Sequence, residues 1–120
     1  MAVINYSLLN EFNYHDGKIV KFQKEEDILI KFVDGWNSLQ VNEILLINAK
    51  TKYNLSDIEI YQFENLEILD DSRFQLTLSI WKVDRPVELK FIADNIISRM
   101  YDDGNLVKEE NLLDLVNASL

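Results

Sequence analysis

From Phe74 to Ile80 the side chains alternate strictly: Phe74, Leu76, Leu78 and Ile80 are apolar, and Gln75, Thr77 and Ser79 between them are polar. A repeat of two is that of a pleated strand with one buried face, whereas an amphipathic helix repeats near 3.6. The same rhythm returns at Val20 and Phe22, at Ile28, Ile30 and Phe32, at Ile58 and Ile60, and at Val87, Leu89 and Phe91. Turn-forming residues separate these runs: Lys24 to Glu26, Asp34 and Gly35, Asn54 to Asp57, Asp70 to Arg73, and Asp84 to Pro86. Asp-Gly favours the positive φ angles of a tight hairpin, and a proline at a reversal removes no hydrogen bond from a central ladder. Reversals this close together leave no length for helical crossovers, so a parallel sheet is not expected. The expected fold is mainly β, with α+β as the variant. It is an antiparallel β-meander forming a barrel-like sheet or sandwich of about seven to eight strands, with a C-terminal helix.

Two segments carry mixed signals. Gln40 to Lys50 reads as a strand buried on both faces, or as a helical turn followed by a strand. Phe91 to Tyr101 reads as a helix or as two strands bent near Asp94 and Asn95. The β-branched Ile92, Ile96 and Ile97 lose side-chain freedom in a helix and favour the strands. At the C-terminus, Asn105 can cap a helix, Glu109 and Glu110 suit its first turns, and Leu112, Leu113, Val116 and Leu120 share one helical face. This predicts a helix near residues 107 to 118. Ser7 can cap a shorter helix reaching Phe12. A single β-rich domain over 1–120 is expected, with no linker or internal repeat.

Twelve basic residues against twenty-one acidic ones give a net charge of −9. Nucleic-acid binding through the phosphate backbone needs a basic surface, so nucleic acid is not an expected partner. There is no cysteine, which excludes disulfides, thiol nucleophiles and thiolate metal sites and fits a reducing compartment. The longest apolar run is Ile44 to Ile47, far short of a membrane span of ~20 residues. Met1 to Phe12 lacks the pattern of a signal peptide. A soluble, cytoplasmic protein with no membrane partner is therefore expected. No phosphate-binding loop, dinucleotide fingerprint, nucleophile elbow or zinc-helix motif occurs, so neither an enzyme nor a bound cofactor is expected.

The one histidine, His15, stands beside Asp16. A His–Asp pair can be a base with its orienting carboxylate or half of a metal site, but adjacent strand residues point to opposite faces, and His15, Asp16 and Gly17 also suit a turn. Asp70 with Asp71 and Asp102 with Asp103 offer oxygen ligands outside any calcium-loop pattern and read mainly as turn residues. Trp36, Tyr61 and Trp81 are candidate partner-binding residues alongside His15 and Asp16, since aromatic side chains with polar tips dominate interface energies. Against this, such rings can fill a second layer beneath the C-terminal helix. The acidic groups Glu25 to Asp27 and Asp102, Asp103, Glu109 and Glu110 can steer a basic partner or simply keep the chain soluble.

The run Tyr14-His15-Asp16-Gly17-Lys18-Ile19, followed by a short strand and by Ile28 to Gly35, resembles the opening of small, uncharacterised bacterial β-rich domains. Some of those domains are immunity proteins encoded beside polymorphic toxins. The resemblance implies a β-meander and, for the immunity members, inhibition of a toxin; it carries over no functional residue. The leading expectation is a small acidic binding module for another protein, in its sharpest form an immunity-type inhibitor of a basic toxin. A small-ligand protein or enzyme with an apolar pocket near His15 and Trp36 or Trp81 is a second reading. A subunit of a homo-oligomer, such as a homodimer, is a third.

Overall fold

The computed structural model describes residues 8–12, 14, 17–37, 39–51, 53, 59–82 and 84–118, with the backbone alone at Tyr61. Among these residues the chain runs through α1 (Leu8–Glu11), β1 (Gly17–Lys24), β2 (Ile28–Val33), β3 (Gln40–Ile47), β4 (Glu59–Ile68), β5 (Phe74–Lys82), β6 (Arg85–Ala93), β7 (Asn95–Asp102), β8 (Asn105–Asn111) and α2 (Leu112–Ala118). The strands form one antiparallel sheet in the order β6-β5-β4-β1-β2-β3-β7-β8, curled into a half-barrel.

Two meanders build it. β1, β2 and β3 pair in sequence; β4 then returns to the free edge of β1 and the chain continues through β5 and β6. Only Asp94 separates β6 from β7, yet β6 pairs with β5 and β7 pairs with β3. The predicted bend near Asp94 and Asn95 is therefore real, and both halves are strands. The Asp94 N–H donates to the Ile47 carbonyl at 2.9 Å, and the Asn48 amide donates to the Asp94 carboxylate at 2.8 Å. These bonds tie the junction to the end of β3.

The curl has a local cause. The pairing register slips once in β1, between Ile19 and Lys21, and twice in β4, between Ile60 and Gln62 and between Phe63 and Asn65. Each slip inserts an extra residue (Val20, Tyr61 and Glu64), and such bulges bend and twist a strand. The period-two pattern of β4 is broken at two places for this reason.

The inner face holds the core. Ile19, Ile30, Phe32, Ile44, Leu46, Ile60, Leu76, Leu78, Leu89, Phe91 and Ile96 are buried there together. Leu8 and Leu9 of α1 and Leu112 of α2 join the same cluster, so both helices contribute to this side. Phe12 and Tyr14 follow α1 into the concavity. Phe12 meets Phe32 edge-on at 5.6 Å between ring centroids, and Tyr14 stacks on Phe32 at 5.2 Å and on Phe63 at 6.1 Å.

The Tyr14 hydroxyl donates to the Leu9 carbonyl at 3.0 Å, and burial pushes its pKa well above 10.0. A raised pKa means that the folded state favours the protonated phenol. That contribution is complete below the unfolded value near 10 and is lost as pH rises towards the folded value. Tyr14→Phe is expected to cost about 1 kcal/mol at neutral pH, with the gap between wild type and variant closing above about pH 10. Urea melts of both proteins across that range check it.

Two local expectations are corrected. The helix predicted near residues 107 to 118 begins only at Leu112; Asn105 to Asn111, with Glu109 and Glu110, form strand β8. Pairing with β7 overrides the capping and charge signals of that stretch. The tight Asp-Gly hairpin is not at Asp34–Gly35, where a longer connection spans the gap between Val33 and Gln40. It is at Asp103–Gly104, whose φ angles of 51° and 80° form the primed turn that suits a two-residue hairpin. Gly17 has no left-handed φ; it serves close approach, since a Cβ there would lie 3.2 Å from the Tyr14 carbonyl oxygen.

Candidate functional site

Residues directly opposite one another in an antiparallel pair share a face, so the register assigns every strand residue to a row. The buried residues of both helices belong to the inner cluster, and among the described residues no helix covers the outer face. Among the described residues, rings do not fill a second, helix-covered layer there.

Near the end where β1 begins, one outer row crosses all eight strands. Pro86 lies opposite Trp81, Trp81 opposite Glu59, and Glu59 opposite Lys18. The row continues through Val33, Val41, Tyr101 and Leu106. Trp81 is 43 % exposed and Leu106 52 %. Trp36 stands at the same end, in the β2–β3 connection, and is 72 % exposed. Its N–H donates to the Asp34 carboxylate at 2.8 Å, and the Leu39 N–H donates to the Asn37 side chain at 3.1 Å. These two Asx-turns fix the connection that presents the indole.

Of the five residues singled out in the sequence, Trp36 and Trp81 are exposed at one end of the sheet. Tyr61 is an inserted residue of β4 whose side chain lies outside the described residues, as do His15 and Asp16 entirely.

A second outer row, on β1, β2, β3, β7 and β8, is charged: Lys21, Lys31, Glu43, Arg99 and Glu109. Arg99 Nε donates to Glu109 at 2.7 Å, which raises the pKa of the guanidinium. The Tyr101 hydroxyl donates to the Glu43 carboxylate, and this bond raises the phenol's pKa. Glu43 is almost fully buried in this row although it faces outwards. Sequence reasoning missed the row because its members lie on five separate strands and only pairing aligns them. On β4 and β5, the Ser79 hydroxyl donates to Glu64 at 2.5 Å and lowers that carboxyl's pKa.

Beyond the charged row, towards the β1–β2 turn, an open depression of about 460 Å³ is lined by Gln23, Glu25, Glu26, Asp27, Leu29 and Leu45. It contains neither Trp36 nor Trp81. The predicted acidic groups are spread out. Glu25 to Asp27 rim this depression, Asp102 and Asp103 sit at the opposite end in the β7–β8 hairpin, and Glu110 turns inward to accept the Leu8 N–H at 2.6 Å. Asp71 is a turn residue that accepts from Arg73 at 2.7 Å, which lowers its pKa. Among the described residues no group of three metal-ligating side chains converges. No described helix is long and apolar enough to cross a membrane.

Comparison with protein-family models, curated proteins and solved structures finds no match.

Proposed function

We propose that this chain is a non-catalytic binding module that acts by laying one end of its outer face against another protein. The observation that carries this reading is the pair of exposed tryptophans, Trp36 and Trp81, at the same end of a sheet face that no described helix covers. Indoles combine a large apolar area with one N–H donor and are the commonest anchors of protein interfaces. Asx-turns hold the Trp36 connection in advance, so little ordering entropy is lost on docking.

In its sharpest form the partner is a basic protein, and the module is an immunity-type inhibitor that covers a toxin's active site in the cytoplasm. The net charge of −9 and the resemblance of the run from Tyr14 to Gly35 to small uncharacterised bacterial β-rich domains, some of them immunity proteins, support this form. A negative field accelerates encounter with a basic partner and fades with salt.

Binding to a panel of purified basic toxin domains tests the reading. Wild type is expected to bind one of them, with affinity falling as salt rises. Trp36→Ala and Trp81→Ala are each expected to weaken that complex at least ~10-fold. A complex indifferent to both indoles moves the contact surface elsewhere; one indifferent to salt removes the electrostatic part.

A further inference from the structure

On the half of the outer face formed by β2, β3, β7 and β8, the charged row reads Lys31, Glu43, Arg99, Glu109. These are four charges of alternating sign. An alternating row of even length is the complement of its own reversal. Consider a two-fold axis lying in this face, parallel to the strands, between β3 and β7. It sets Lys31 against Glu109 of a second copy, and Glu43 against its Arg99. The same rotation sets Leu45 against Ile97 on one side of the row and Val41 against Tyr101 on the other, apolar on apolar. These four residues are half-buried, and among the described residues no helix covers them. An axis perpendicular to the strands would instead set Lys31 on Lys31 and Glu43 on Glu43.

We propose that this face docks on a second copy of the chain, forming a two-fold dimer. A two-fold interface must be self-complementary, and this face meets that condition in the charged row and in the row of Val33, Val41, Tyr101 and Leu106; in the third row Leu45 meets Ile97, with Leu29 and Asn111 at the flank. Glu43 has already lost nearly all its contact with solvent on folding, so its further burial costs little. The outward curl of the sheet limits close contact to β3 and β7, and the long side chains of Lys31 and Glu109 reach across the flanks. The proposal goes beyond the reading above and uses different strands, since Trp81 lies on β5.

Sedimentation velocity from about 1 to 100 μM, the range of weak interfaces, tests it. The average mass is expected to climb towards twice that of the monomer. Lys31→Glu or Glu109→Lys alone places like charges across the face and is expected to weaken association about tenfold. An equal mixture of the two variants restores opposite charges at both positions and is expected to restore association. Trp81→Ala leaves association unchanged while weakening the foreign complex, which separates this proposal from the one before. Circular dichroism confirms that each variant folds; Lys31→Gln and Glu109→Gln replace any reversal that does not. A strict monomer at the highest concentration overturns the proposal, and so does a dimer that both reversals leave intact.

Discussion

Phe32→Ala is expected to cost about 3–5 kcal/mol, the largest effect of any single substitution considered for this chain. Phe32 is fully buried at the centre of the sheet, and its ring contacts both Phe12 and Tyr14. Removing it leaves a cavity and strips the N-terminal segment of the surface on which it packs. Two readouts are expected to move together in the variant. Its denaturation midpoint falls, and the amides from Leu8 to Tyr14 exchange with solvent faster than those of β5. A midpoint lowered by less than about 1 kcal/mol would mean that the surrounding rings collapse into the space.

Asn42→Leu is expected to have the opposite sign. Asn42 lies on the inner face, fully buried, opposite Phe32 on β2 and Met100 on β7. Among the described residues neither atom of its amide has a hydrogen-bond partner, and the hydroxyl of Ser98, diagonal to it on β7, has none either. A buried amide without partners carries a desolvation cost of about 1–3 kcal/mol, and leucine has nearly the same shape without that cost. The variant is expected to gain about that much, and Ser98→Ala is expected to gain less. Urea denaturation of both measures it. A loss of stability for Asn42→Leu would show that the amide is satisfied in solution.

The strands were legible where apolar and polar side chains alternate along the chain. β2, β5 and β6 declare themselves through Ile28 to Val33, Phe74 to Ile80 and Val87 to Ile92, because their core-facing positions are apolar, although Thr77 and Ser79 on the other face of β5 are buried as well. The β-branched residues of β7 carried enough information to favour a strand over a helix. β8 was illegible for a physical reason: it is an edge strand exposed on both faces, so Asn105 to Glu109 show no alternation. The apolar face of α2 then extended the helical reading backwards over it. The candidate site was only half legible. Trp36 and Trp81 are conspicuous in the sequence, but their placement at one end depends on β4 returning to pair with β1. That pairing joins residues far apart in the chain, and no local pattern announces it. The charged row is hidden for the same reason.

The passage of β6 into β7 through Asp94 acts as a clasp. One continuous stretch of chain supplies the last strand of one meander and the strand that extends the other. β7 aligns partners as distant in the chain as Gln40 and Asp102, and such closures are slow because the intervening chain must be ordered first. The β3–β7 closure is therefore expected to form after the local hairpins such as β1–β2 and β5–β6, and a cut in the backbone at Asp94 is expected to loosen that closure while the β4–β5–β6 ladders stay paired.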